Sequence, residues 1–357
     1  MSLKNSFKKF IYYAMRLSQR KRTLKSNKKH IKQLKNEGIE IKKLSADQKA
    51  QIDSIYKKYG QKYSYDTHTI VYSVSGKFNP KVMPEDLFKS SIVFKLNKDL
   101  YKKVLTDKAY FELFMPEVKF PECIVKNISG ILYDKNLNII TKDEAEKLVA
   151  PYDEVVIKPT VATGFGYGVT LVKTAEKNPI KVFRDNYIIQ EVFKQHESYA
   201  ELNKSSVNVV RVVTFFMEDK VYYVTGALRI GGVGAFTDNA VTSDGKGMIV
   251  IGIDENGKLR EDGYFSCGQS VKETPGGIPF KGRDVYKFNE MVEIAKTQHA
   301  RFPMIKFIGW DFAVSESGDV VAMEYNMRSP GVLYYQYANG PLFGDMTEKL
   351  IEYARKL

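Results

Sequence analysis

The stretch Lys306–Met327, KFIGWDFAVSESGDVVAMEYNM, places apolar and polar residues in alternation on both sides of a Ser-Gly pair and reads as a β-hairpin. A two-residue turn at Ser317 and Gly318, where Gly tolerates positive φ, sets Asp311 opposite Glu324 and Trp310 opposite Tyr325. Side chains in a strand alternate faces. Asp311, Glu324 and Asn326 therefore share one face, and Trp310, Phe312, Met323 and Tyr325 the other. Carboxylates facing each other across a strand pair repel unless a cation lies between them. Hard oxygen donors of this kind suit Mg²⁺ or Mn²⁺, and Mg²⁺ commonly arrives with substrate phosphates. The hairpin thus raises a nucleotide site. An exposed hairpin with solvated acids carries the same letters, and a one-residue slip would break the pairing, so the rest of the chain must decide.

The chain has 357 residues, 43% hydrophobic and 27% charged, ordinary for a soluble globular protein with room for two or three cores. Its net charge of +13 is concentrated. Residues 1–43 hold fourteen Lys or Arg against Glu37 and Glu40, which leaves the remainder within one charge of neutral. That balance gives a nucleic-acid role for the main body little electrostatic support. Cys123 and Cys267 have neither metal-ligand nor disulfide-framework spacing, and His30, His68, His196 and His299 are dispersed, which argues against zinc. No apolar run is long enough to span a bilayer, and FIYYAM is too short for a signal-peptide core. The expected location is cytoplasmic, with peripheral contact at the inner face of the membrane as an option for the amino end.

Leu3, Phe7, Phe10, Ala14 and Leu17 fall on one helical stripe, with Lys4, Lys8, Lys9, Arg16 and Arg20 on the polar side. Such a helix can lie on an anionic membrane through residues 1–20, sit in a partner's groove, or pack on its own domain. A second helical pattern runs from Asp47 to Tyr59, a third from Lys98 to Met115 ahead of Pro116. Beyond Pro151 the segments EVVIKP, VTLVK, YIIQEVF, NVVRVVTFF, KVYYVTGALRI and MIVIGID read as strands. Helical patterns sit between them near residues 198–202, 283–301 and 343–356. The expected layout is α+β with antiparallel sheets. Its divisions are a basic helical segment at 1–43, a small mixed domain at 44–150, and a main domain at 151–357 with a lid subdomain at 151–195 and a metal-binding subdomain at 196–357.

In VVIKPTVATGFGYGVTLVK, residues 155–173, a strand delivers Lys158 and then three glycines, Gly164, Gly166 and Gly168, precede a returning strand. Glycines let backbone N–H groups approach phosphate oxygens, and a nearby Lys adds a point charge. The spacing is neither GxGxxG nor a Walker A sequence, and a plain glycine-rich hairpin would look similar. A basic lid together with an acidic metal seat points to Mg-nucleotide.

The order of these parts resembles the ATP-grasp superfamily: DK opening a helix, IKP with a glycine loop, a hinge strand ending in an acid, then D…ExN on a hairpin. The wording IIQEVFKQHESYAELNKSSVNVVRVVT, LRIGGVGAFTDNA and EYNMRSPGVLYYQYANG is similar to the sugar-transfer-associated ATP-grasp branch, over about residues 75–345. The resemblance implies an ATP-grasp fold, with nucleotide held between two antiparallel-sheet α+β subdomains and a smaller N-terminal domain. It makes Lys108 and Lys158 the phosphate lysines under Gly164, Gly166 and Gly168. It gives the adenine to the backbone of Gln190, Glu191, Val192 and Phe193, and the ribose to Glu197 or His196. Asp311, Glu324 and Asn326 become the Mg²⁺ (or Mn²⁺) ligands, and Arg211 and Arg229 neutralise the phosphoryl group in transfer. The loop ATGFGYG has less Ser than relatives carry, and VNVVR stands where Thr often precedes Arg, which leaves Asn208 without a clear role. Tyr334, Tyr335 and Tyr337 suit either a substrate cleft or the core.

The implied activity is an ADP-forming ligase that uses ATP to activate a small-molecule carboxylate for attack by an amine, sugar or other nucleophile. The context is bacterial cell-surface polysaccharide, without nucleic acid. A kinase on the same scaffold and an inactive binding protein are the rival expectations.

Overall fold

A computed structural model describes residues 3–161, 168–237, 246–327 and 331–357. Twelve strands are defined among them: β1 (Cys123–Ile128), β2 (Ile131–Tyr133), β3 (Glu154–Pro159), β4 (Thr170–Lys173), β5 (Tyr187–Glu191), β6 (Val209–Met217), β7 (Lys220–Ile230), β8 (Ile249–Ile253), β9 (Leu259–Phe265), β10 (Ser270–Val271), β11 (Phe307–Val314) and β12 (Val320–Asn326). They make two antiparallel sheets, ordered β2-β1-β5-β3-β4 and β10-β9-β8-β7-β6-β11-β12.

The expected hairpin is β11–β12, and Asp311 does face Glu324, but by a different route. The connection is three residues, Glu316–Gly318: the Ser315 N–H donates to the Asp319 carbonyl, the Gly318 N–H donates to the Ser315 carbonyl, and Gly318 sits at φ +84°. That extra residue shifts the register near the turn, so that Val314 faces Val320 and Phe312 faces Ala322. A bulge between Asp311 and Phe312 restores the register, and Met323 absorbs the extra residue. At the open end Asn97 clamps the pair. Its Nδ2 donates to the carbonyls of Phe307 (2.6 Å) and Met327 (2.7 Å), while its Oδ1 accepts from the N–H of Lys306 and Phe307.

The seven-stranded sheet is buried on both faces, so β6 and β11 lack polar alternation over most of their length. Helix Phe288–Ala300 packs on one face with Val210, Val212, Trp310 and Phe312. A buried chain fixes that side: the Trp310 indole N–H donates to Thr214 Oγ1 (2.8 Å), which lies 2.7 Å from His299 Nδ1, while His299 Nε2 is 2.9 Å from the Ile305 carbonyl. Burial pushes the His299 imidazole down to about 4, so it is neutral at pH 7, with Nε2 the protonated nitrogen.

The opposite face carries Phe307 and Phe215 under the N-terminal helices α1 (Leu3–Asn36), α2 (Ala46–Tyr56) and α3 (Asp66–Ser75) and the carboxyl-terminal helices Leu333–Asn339 and Thr347–Lys356. Helix Leu333–Asn339 lies close on β8 because Gly252 has no side chain; a Cβ there would stand 2.6 Å from the Ala338 carbonyl oxygen. Asp311 and Arg211, four residues along in a continuous register, share this face beyond the helices.

Two domain boundaries differ from the sequence expectation. Strands β1 and β2 belong to the five-stranded sheet, with β1 hydrogen-bonded to β5, so residue 150 falls inside one layer. Residues 44–96 share a core with Phe215, Phe307 and Phe343, as an N-terminal helical region built onto the large sheet. The expected helix Lys98–Met115 breaks at Thr106 and Asp107 into Asp99–Leu105, the 3₁₀ turn Lys108–Tyr110 and Phe111–Phe114.

Candidate active site

Between the two sheets lies a cleft partly open to solvent. The five-stranded sheet contributes Val156 and Lys158, on one face of β3, and Glu191, Val192 and Phe193 at the end of β5. Lys108 joins them because Asp107 caps its 3₁₀ turn and the Lys108 N–H donates to the Thr160 carbonyl just past β3. Gly168 sits at φ +79°, and a Cβ there would meet Pro159 Cγ at 2.8 Å, so the chain after the glycine segment turns back tightly over the residue following Lys158. Gly164 and Gly166 lie outside the described residues.

From the large sheet come Val209, Arg229, Asp311, Met323 and Glu324. Asp311 is 2% exposed and fully engaged. Its Oδ1 accepts from Arg211 Nε (2.5 Å) and pairs with an Arg229 terminal nitrogen (3.0 Å); its Oδ2 accepts from the second Arg211 nitrogen (2.8 Å) and from Asn326 Nδ2 (3.3 Å). Burial alone would raise the Asp311 pKa, but Arg211 and then Arg229 outweigh it and hold the carboxyl below its ordinary range. Burial likewise works against the Arg211 charge, and Asp311 more than restores it. Glu324 is less enclosed: Lys108 Nζ stands 3.5 Å away and Asn326 Nδ2 donates at 3.1 Å.

The repulsion between the facing acids is therefore relieved by side chains of the chain itself, which corrects the expectation that a divalent ion is needed for them to coexist. Arg211 is a second correction. It does not line the cleft; it lies behind Asp311, with the Tyr335 ring 5.8 Å from its guanidinium carbon, and can act on the cleft only through Asp311. Among the described residues no three His, Cys, Asp or Glu side chains cluster as a metal site.

His196 and Glu197 also fall away from the cleft. His196 caps the short helix Glu197–Ala200 through Nδ1 and stacks on Tyr286 at 4.7 Å, and Glu197 is exposed at that helix's first turn, where the dipole favours an acid. The Gln190 side chain is buried and donates to the Pro121 carbonyl (2.9 Å). Asn208 is spent on its own loop, donating to the carbonyls of Tyr199 and Asn203. Tyr335 and Tyr337 are core, the latter within 2.7 Å of His30 Nε2.

Sequence reasoning missed Val156, Val209, Met323, Phe236 and Thr237 as cleft residues. Strand parity with Lys158 and Arg211 points to Val156 and Val209. Met323 had no such signal, because the bulge turns it from the core side to the cleft.

Two antiparallel sheets meeting over a cleft, with a lysine on the small sheet facing an Asp/Glu/Asn hairpin on the large one, define an ATP-grasp fold. Residues 180–350 match the family described as sugar-transfer associated ATP-grasp. A search of curated proteins gives no match. Among solved structures the chain is similar to D-alanyl-alanine synthetase A from Vibrio cholerae (14% identity, 72% of this chain and 66% of that one, TM-score 0.43). It is also similar to VanG D-Ala:D-Ser ligase from Enterococcus faecalis (14%, 74% and 62%, TM-score 0.41) and to the ATP-grasp ligase PsnB complexed with minimal precursor (11%, 70% and 61%, TM-score 0.38). The chain spans less than two thirds of the length of each of these.

Proposed function

We propose that the chain is an ATP-dependent, ADP-forming ligase that activates a carboxylate as an acyl phosphate and passes the acyl group to an amine or another nucleophile in the assembly of a cell-surface polysaccharide. The observation that carries this reading is the convergence of Lys108, Lys158 and Arg229 with Asp311 and Glu324 on one cleft between two sheets. The glycan context rests on the family description alone.

In this reading Lys108 and Lys158 hold the nucleotide phosphates as point charges, and the end of β5 at Glu191, Val192 and Phe193 receives the base. A carboxylate is a poor electrophile because its leaving group would be oxide. Its oxygen attacks the terminal phosphorus of ATP, ADP departs, and the resulting acyl phosphate offers phosphate as the leaving group when the amine attacks. Lys158 and Arg229 offset the charge spread over the moving phosphoryl oxygens, which is electrostatic catalysis without a protein nucleophile. Arg211 fixes Asp311 and is a positioning residue.

The donor set of two carboxylates and an amide fits Mg²⁺ or Mn²⁺. Glu324 is open to the cleft, and a half-turn of the Asn326 amide would exchange its donor for an oxygen and release one site on Asp311 Oδ2. When bound, the ion would offset phosphate charge. Because its two arginines keep Asp311 ionised and engaged, it is a weak candidate for the general base a kinase would need.

The test is ADP release from Mg-ATP with a panel of carboxylates, each with hydroxylamine as trapping nucleophile. The expected result is ADP formation that depends on one carboxylate class, with one hydroxamate per ADP. A phosphorylated product that survives hydroxylamine would replace the ligase reading by a kinase, and no ADP with any acceptor would favour a binding protein.

A further inference from the structure

Helix α1 carries twelve Lys or Arg and no acid. It docks on the body by one polar seam. Arg16 donates to the Ser90 carbonyl, Arg20 pairs with Asp86 at 3.1 Å, and Thr23, Asn27, His30 and Leu34 are buried below them.

The hydrophobic stripe seen in the sequence is not this seam. At about 100° per residue, Phe10, Ala14 and Leu17 lie roughly 80–160° around the helix from Arg16, Asn27 and Leu34, and they are exposed. Phe10 is 66% exposed, and Ile11, Tyr13 and Met15 beside it are 43, 57 and 46% exposed. The same 4-3-4 spacing then continues through Lys21, Lys25, Lys28 and Lys32, all exposed. One outward ridge, roughly 33 Å long at about 1.5 Å per residue, thus changes from apolar and aromatic to purely cationic.

We infer that this ridge is an anchor for an anionic phospholipid surface, lying in the plane of the membrane with its aromatic half at the acyl boundary and its lysine half over the lipid phosphates. The docking seam is already satisfied on the other side, so membrane contact requires no rearrangement of the body. A second copy of the chain is disfavoured as occupant, since α1 has no acid with which to meet another cationic α1. A helix of this composition lies on a bilayer rather than crossing it, and no helix among the described residues is long and apolar enough to cross one. The inference is independent of the chemistry in the cleft.

The experiment is flotation of the full chain with vesicles of phosphatidylcholine alone or mixed with phosphatidylserine. Binding is expected only to the mixed vesicles, weakening as salt rises. Phe10→Ser with Leu17→Ser should lower partitioning about ten-fold or more, and Lys21, Lys25, Lys28 and Lys32 all changed to Gln up to about a thousand-fold at low salt. Both variants leave the seam intact, and an unchanged melting curve separates lost binding from lost fold. Absence of flotation, equal binding to neutral vesicles, or a concentration-dependent dimer abolished by the Phe10 and Leu17 changes would each overturn the inference. The wild-type comparison decides even if a variant fails to fold.

Discussion

The Asp311→Asn variant is expected to lose about 3–5 kcal/mol of folding stability together with all measurable ATP turnover. Among the described residues Asp311 meets Arg211 through two nitrogens and Arg229 through one, in a site closed to solvent. Asparagine keeps the shape but removes the charge that meets the buried Arg211 guanidinium. The sign with pH follows from the depressed Asp311 pKa. The stability it adds is fully present above the ordinary value of 3.8 and is lost as pH falls through the lower folded-state value. Wild type should lose this increment only below about pH 4, on top of the acid sensitivity that both forms share through other carboxylates such as Asp53, and the variant should lack it. Chemical denaturation of both forms between pH 3 and 7 checks it, and equal stability at pH 7 would show that the arginines do not depend on Asp311.

The Lys158→Met variant should behave differently. Lys158 projects from β3 into the cleft, where methionine matches its apolar stem but not its charge. Turnover is expected to fall about 10²–10³-fold, the usual cost of one preorganised charge at a phosphoryl group, while the melting temperature without nucleotide stays within a degree or two. Steady-state ADP release and a thermal melt on the same preparation separate the two effects. Turnover within a factor of two of wild type would remove Lys158 from the proposed machinery.

Much of this site was legible because strand parity is rigid. Lys158, Asp311 and Glu324 could be assigned to faces from alternation, and the sheet pairing of β11 with β12 follows from the hairpin letters. The details were not. A three-residue turn and a compensating bulge leave Asp311 opposite Glu324 while moving Met323 to the cleft, a pair of changes invisible to a period-two pattern. Strand β9, LREDGYF, lacks clean alternation because Arg260, Glu261 and Asp262 are at least partly exposed. Helix α1 was legible as a helix but not in its docking, since its buried seam includes Thr23, Asn27 and His30, while Phe10, Ala14 and Leu17 of the apolar stripe are exposed. The arginine clamp on Asp311 depends on β6 lying between β7 and β11, an adjacency set by sheet order alone.

The account turns on whether the cleft binds a metal-bound nucleotide, and a thermal melt of the full chain with ATP, in Mg²⁺ or in EDTA, tests this most directly. Glu324→Gln is the informative companion, because Glu324 is the more accessible acid and its loss leaves the Asp311 clamp in place. Mg-ATP at a hundred times its dissociation constant should stabilise wild type by about 2.7 kcal/mol. ATP in EDTA should do so much less, and the Gln variant should lose the difference between the two. Identical melting curves with and without excess Mg-ATP would contradict the account.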